Sequence, residues 1–245
     1  MKILVCITNV PDTISKIAFK ESDTQLVKED ITFVIGPYDD YALARAVELR
    51  DTLGGTVTAL NVGLKDTDPI LRKALAIGAD DAVRIDTDPT DGYFVAKQIA
   101  NYAQDKNFDL ILMGRESSDF NGGQVHGMVG ELLGIPSLSP IMKLEVAGNT
   151  AQLAREIEGG KEYLEANLPL VLGCQEPIAE WKIPNMRGIM SARTKPLLVV
   201  EPSTDAMLTT GGKYQLPPAR SGCKFIPADQ AELLIELLKN EAKVL

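Results

Sequence analysis

Through the first 135 residues, short apolar runs alternate with segments of helical period. Ile3-Leu4-Val5-Cys6-Ile7 is continuously apolar, the pattern of a strand buried on both faces. Residues 13–34 are polar with scattered β-branched positions and predict a hairpin-like excursion. Pro37 opens a helical pattern, with Tyr41, Ala42, Ala44, Val47, Leu49 and Leu53 on its apolar side, and Gly54-Gly55 stops it. Val57 to Val62 predicts a second strand. Asp68-Pro69 reads as an N-cap followed by a first-turn proline, leading Ile70, Leu71, Ala74, Leu75 and Ile77 to a stop at Gly78. Ala82 to Ile85 predicts a third strand. Residues 91–106 predict a helix with Tyr93, Phe94, Ile99 and Tyr102 toward the core. Asp109 to Gly114 predicts a fourth strand, and residues 124–133 another helix. Such alternation argues for an α/β fold, a parallel sheet with flanking helices and right-handed crossovers. Ligands of such sheets sit beyond the carboxyl ends of the strands. Thr8 to Thr13, Asn61 to Asp66 and Gly114 to Gln124 lie there.

After residue 140 the period changes. Residues 141–147, 151–157 and 162–166 alternate apolar and polar, separated by Gly148-Asn149 and Gly159-Gly160, and predict an antiparallel meander. Leu168 to Cys174 predicts a further strand, whereas 175–195 turns to Pro, Met, Trp and Arg without alternation. Residues 201–224, rich in Pro, Gly, Ser and Thr, read as an extended arm. A final helix is predicted over 228–241, with Leu233, Leu234, Leu237 and Leu238 on one side. The expected organisation is one α/β domain over residues 1–200 and an arm with its helix over 201–245.

Composition acts mainly by exclusion. Twenty-five basic against 34 acidic residues leave a net charge of −9, which argues against nucleic acid as a partner. No apolar run approaches the roughly 20 residues of a membrane span, so an integral membrane protein is not expected. The opening MKILVCITNV is too short in its apolar part for a signal peptide. Cys6, Cys174 and Cys223 are far apart and form no CxxC, so they read as small apolar residues, although Cys6 ends a strand and can line a site. The single histidine, His126, leaves few ligands for zinc and one possible general base. Most hydrolase and metalloenzyme classes are disfavoured accordingly.

Gly114-Arg115-Glu116-Ser117-Ser118-Asp119-Phe120-Asn121-Gly122-Gly123-Gln124 carries the most chemistry. It leaves a strand and enters a helix. Gly122 and Gly123 let backbone amides approach a ligand, the helix start suits a phosphate, and Asp119, Asn121 and Gln124 can hydrogen-bond ribose or phosphate. It is neither a Walker motif nor a GxGxxG fingerprint, and a plain strand-to-helix turn has the same composition. Gly36-Pro37-Tyr38-Asp39-Asp40 is a second such loop, equally readable as a helix start with acidic residues in its first turn. His126 reads as a surface or packing residue. Trp181 with Lys182, Arg187, Arg193 and Lys195 forms a basic-aromatic cluster, either a docking surface or a solvated face.

An ordered set of segments resembles the beta subunit of electron transfer flavoproteins along nearly the whole chain. These are ILVCITNVPDT at the start, Gly36-Pro37-Tyr38-Asp39 with Ala42 and Ala46-Val47, and Arg72 with Ala74-Leu75-Ala76-Ile77-Gly78-Ala79-Asp80. Asp109 through Gly114 with the Asp119 to Gln124 loop, Glu156-Ile157-Glu158-Gly159-Gly160, Leu168-Pro169 and Ile183-Pro184-Asn185-Met186 follow in family order. Thr8-Asn9, Gly36, Phe120, Asn121 and Gly122 depart from the common family residues.

The resemblance implies an adenine-nucleotide alpha-hydrolase-like, Rossmann-type fold and a heterodimer with an alpha subunit, which the C-terminal arm contacts. It implies an electron carrier in the cytoplasm rather than a catalyst with its own active-site chemistry. FAD would be held mainly by the alpha subunit, with AMP in this one, or a second FAD in electron-bifurcating members. The nucleotide residues carried over are Cys6, Gly36, Pro37, Tyr38, Asp39, Val62, Asp119, Asn121, Gly122, Gly123 and Gln124. Trp181, Ile183, Pro184 and Met186 would dock acyl-CoA-dehydrogenase-type electron donors, with Ile183 as the anchor; the alternative is that Ile183 packs inside the fold. A stand-alone adenine-nucleotide-binding protein of the stress-protein type is the competing function on the same fold.

Overall fold

A computed structural model describes residues 1–20, 22–89, 91–219 and 222–245. The first apolar run becomes β1 (Lys2–Cys6), buried beyond Lys2. The excursion after it is a nest of antiparallel pairs. β2 (Asn9–Pro11), β3 (Phe19–Lys20), β4 (Gln25–Leu26) and β5 (Phe33–Ile35) pair as β2 with β5 and β3 with β4. α1 (Pro37–Leu53) starts at the predicted proline and gives way to Gly54 at φ +75°, where a side chain would be strained. The α/β alternation continues through β6 (Thr56–Val62), α2 (Asp68–Ile77), β7 (Asp81–Ile85), α3 (Gly92–Ala103), β8 (Leu110–Gly114) and α4 (Val125–Leu133).

One local expectation fails. Asp68 is the first residue of α2 rather than its N-cap, and its Oδ1 accepts from Arg84 Nε at 2.8 Å. Arg84 is buried in β7 and needs carboxylate partners there, and a bond between two opposite charges outweighs one from the carboxylate to a neutral backbone N–H.

The second half supplies β9 (Ser137–Ala147), β10 (Thr150–Ile157), β11 (Gly160–Asn167), β12 (Leu170–Cys174), α5 (Met186–Ala192), β13 (Leu197–Val200) and α6 (Ala231–Asn240). The meander is not a separate sheet. Among the described residues the main sheet has nine strands in the order β11-β10-β9-β12-β8-β1-β6-β7-β13. β9 runs parallel to β12 and joins the meander to the parallel part, while β10 and β11 continue antiparallel.

The period of 2 along β1 divides the core. Ile3, Val5 and Ile7 face one apolar layer with α1 and α2, and Leu4 and Cys6 face the other with α3 and α4. This sandwich places the ends of β1, β6 and β8 side by side, the strand ends where ligands bind in such folds.

Beyond β13 the arm crosses the outside of the domain. Ser203 N donates to Gln98 Oε1 at 2.9 Å, and Leu208 N and Thr209 N donate to Asp91 Oδ2 at 2.7 and 2.9 Å, so α3 guides it. Tyr214 then stacks on Phe19 with ring centroids 4.8 Å apart. No helix among the described residues is long and apolar enough to cross a membrane.

Candidate functional site

Three segments converge beyond the ends of β1 and β8. Thr8 follows β1, Gly114 ends β8, and Asp39 lies in the first turn of α1. Asp39 Oδ2 accepts from Thr8 N at 2.8 Å and from Thr8 Oγ1 at 2.6 Å, and Oδ1 accepts from Gly114 N at 2.6 Å. The residue is 3% exposed. Burial pushes its carboxyl up to about 6, against the pull of these hydrogen bonds.

The glycines around Asp39 are there for space. A Cβ on Gly36 would lie 2.4 Å from Thr8 Oγ1 and 2.5 Å from Asp39 Oδ2, and one on Gly114 would lie 2.7 Å from Asp39 Oδ1. Cys6 and Cys174, buried beneath this cluster, have thiols pushed up first by burial and then by the Asp39 charge. They stay protonated and serve as the small apolar residues the sequence suggests. Cys223 departs from that reading because it is exposed on the arm.

Arg115 lies over the Tyr38 ring, 5.0 Å from its centroid, and its guanidinium also reaches Gln175 Oε1 at 2.9 Å and Glu116 Oε1 at 3.0 Å. Gln175 passes the connection to Glu156 Oε2 at 2.7 Å. Among the described residues Arg115 Nε is buried with no hydrogen-bond partner. The loop then opens to solvent. Asn121 and Gly123 adopt left-handed φ values of +50° and +59°, and Asp119 Oδ1 accepts from Phe120 N at 2.9 Å. Asp119, Asn121, Gly122, Gly123 and Gln124 are all exposed, and Gln124 stands just before α4. His126 in the first turn of α4 packs with its Nδ1 3.3 Å from Ser137 Oγ, and burial lowers its pKa.

Outside that exposed loop the predicted nucleotide residues fall into three groups. Cys6, Gly36 and Asp39 meet at the buried junction, with Tyr38 beside it under Arg115. Val62 is buried at the end of β6. Pro37 lines a cleft of about 300 Å³ together with Thr13, Tyr41, Lys73, Ser118 and Trp181. Thr8 and Arg115 lay in stretches that the sequence placed at strand ends but received no role there, and Gln175 was not singled out. Their signal was positional only, at or just past strand ends.

Residues 23–205 match the family model described as "Electron transfer flavoprotein domain". The chain is 36% identical, over all of both chains, to "Electron transfer flavoprotein subunit beta" of Bacillus subtilis (strain 168). It is 32% identical to the protein of that name in Syntrophomonas wolfei, over 100% of this chain and 98% of the relative. The chain belongs to the electron transfer flavoprotein beta-subunit family. It is also 33% identical, over 82% of its length and 78% of the relative, to "Acryloyl-CoA reductase electron transfer subunit gamma" of Anaerotignum propionicum.

The segment before α5, which resembles the signature of electron transfer flavoproteins, is built to stand out. Trp181, Ile183 and Met186 are 56%, 75% and 73% exposed, while Pro184 is half-buried. Exposure removes the reading of Ile183 as core. Asn185 caps α5 by accepting from Gly188 N at 2.8 Å, and a Cβ on Gly188 would lie 2.2 Å from Ala76 O, so α5 sits tightly on α2. The basic cluster divides. Arg187 and Arg193 are exposed, but Lys195 turns inward to the carbonyl groups at the end of α2. That helix end has orphan acceptors that a lysine satisfies.

Proposed function

We propose that this chain is the beta subunit of a heterodimeric electron transfer flavoprotein that takes electrons from acyl-CoA-dehydrogenase-type donors and passes them on through FAD. In this reading residues 1–200 form the nucleotide-binding domain and residues 201–245 contact an alpha subunit that holds the FAD. The observation that carries the pairing is α6, whose Leu233, Leu234 and Ile235 are exposed at the end of an arm with little core of its own. Apolar side chains exposed around such a helix, in a family of subunits, call for a partner to cover them.

An adenine nucleotide, AMP in this proposal, fits beyond the strand ends. Gly122 and Gly123 have no heavy atom within 3.7 Å of where a Cβ would stand, so the backbone is open to a ligand. The free N–H groups at the start of α4 suit its phosphate. In this reading Gly36, Tyr38 and Val62 belong to the inner end of the site. The nucleotide fills and rigidifies the domain, while the flavin supplies redox chemistry that amino-acid side chains lack.

A second reading is an electron transfer subunit of a reductase complex, favoured by the relative named as an electron transfer subunit of acryloyl-CoA reductase. In a bifurcating form of the carrier, this site would hold a second FAD in place of AMP.

Co-expression with the candidate alpha subunit followed by size exclusion tests the pairing. One-to-one complexes are expected, and deleting residues 227–245 should abolish them. A monodisperse monomer that ignores the alpha subunit would contradict the proposal.

A further inference from the structure

Asp39 was expected among the nucleotide-contacting residues, yet its surroundings give it other work. Its carboxylate is closed off, with both oxygens engaged by Thr8 and Gly114 and the residue 3% exposed. No ligand can reach those oxygens without breaking the junction. Its own burial and the charge of Asp40 on the same helix disfavour its ionised form, and the neutral thiols of Cys6 on β1 and Cys174 on β12 bring no compensating charge. Arg115 is directed to Tyr38, Gln175 and Glu116 instead. An acid without a cation in the core costs stability, and a buried polar group kept at such a cost points to a constraint other than stability.

The constraint is geometric. The two strand ends joined through Asp39 start the two loops that frame the candidate site, one running from Thr8 and one from Gly114. We propose that Asp39 is a positioning residue for the nucleotide: it ties the end of β1 to the end of β8, sets the spacing between the two loops, and touches no part of the ligand itself. The proposal rests on the adenine-nucleotide reading of the site.

Asp39→Asn is the direct test, in the full chain. The amide keeps one acceptor oxygen for Gly114 N but puts an NH₂ group where Thr8 N needs an acceptor. The neutral side chain also removes the desolvation penalty. Affinity for AMP, titrated onto chain stripped of nucleotide, should fall roughly ten-fold or more, the equivalent of one hydrogen bond to a charged acceptor. The melting temperature at pH 7.5 should hold or rise, and the Thr8 amide should exchange with solvent faster. A residue that only braces the core would give the reverse, a lower melting temperature with AMP affinity intact, and that result overturns the proposal. Should Asp39→Asn fail to fold, Thr8→Val removes a single donor and leaves the acid in place; AMP affinity reduced several-fold supports the proposal, and unchanged affinity overturns it. Wild-type chain that takes up no AMP would mean that the nucleotide reading itself has failed. Wild type and Asp39→Asn binding AMP equally would sink the positioning role alone.

Discussion

Lys195 Nζ donates to the carbonyl oxygen of Ala79 at 2.6 Å and to that of Leu75 at 3.0 Å, so the lysine caps the end of α2 from 116 residues away. The same side chain therefore fixes where the chain enters β13. Arg72 supports this from the other direction, with its guanidinium 2.8 Å from both Ala192 O and Lys195 O. Lys195→Met should cost about 1–3 kcal/mol, because carbonyl groups lose their charged donor in a half-buried setting. Thermal unfolding would show this as a lower melting temperature. Electron transfer with a dehydrogenase should be unaffected in the folded fraction, and a selective loss of transfer would return Lys195 to the docking surface.

Gly36→Ala places a methyl group 2.4 Å from Thr8 Oγ1 and 2.5 Å from Asp39 Oδ2, so the junction itself must move. We expect roughly 1–3 kcal/mol of destabilisation from overpacking and loss of the co-purifying adenine nucleotide. Gly160→Ala is the matched control, since nothing lies within 4 Å of its added Cβ. Equal nucleotide content in wild type, Gly36→Ala and Gly160→Ala would contradict the placement of the site.

The buried acid gives a defined pH dependence. Asp39 rises from 3.8 to about 6 on folding, chiefly through burial. The folded chain thus holds the proton more tightly than the unfolded chain. The stabilisation is fully present below the unfolded value and is lost as pH rises through about 6. Comparing wild type with Asp39→Asn by denaturant unfolding isolates it. The variant should gain on wild type between pH 4.5 and 7.5 by about 2 kcal/mol, the larger part of the roughly 3 kcal/mol that the whole shift is worth at 1.4 kcal/mol per pH unit. Parallel stability curves would show that Asp39 titrates normally.

Ile183 projects from the segment before α5 at 75% exposure, so its side chain contributes little to the fold. Burying it in a partner is worth about 1.5–3 kcal/mol. Ile183→Ala should slow electron transfer from an acyl-CoA-dehydrogenase-type donor roughly ten-fold or more at limiting carrier, with unchanged flavin content and melting temperature. Stopped-flow reduction by the donor would decide it, and a normal rate would remove Ile183 from the docking surface.

The sequence showed the parallel core because β1, β6, β7 and β8 are local apolar runs and the helices between them carry their own start and stop residues. β13 stayed hidden. Leu197 to Val200 is only four residues long, lies at the sheet edge, and pairs with Ala82 to Ile85 more than a hundred residues earlier. Arg84 was equally opaque, because a charge inside a predicted strand reads as an outward position until Asp68 and Asp86 are seen beside it. At the site, the two loops were legible one by one from their glycines and helix starts. Their junction was not, since Asp39 meets Thr8 and Gly114 across 31 and 75 residues, and no local spacing encodes that contact.

An electron transfer flavoprotein subunit with a nucleotide of its own must carry that nucleotide through purification. The most direct measurement is the nucleotide content of the purified heterodimer, released by denaturation and quantified by chromatography. One FAD and one AMP per heterodimer is the predicted result. Two FAD without AMP would replace the simple carrier by the bifurcating form, and no adenine nucleotide beyond a single FAD would contradict the site.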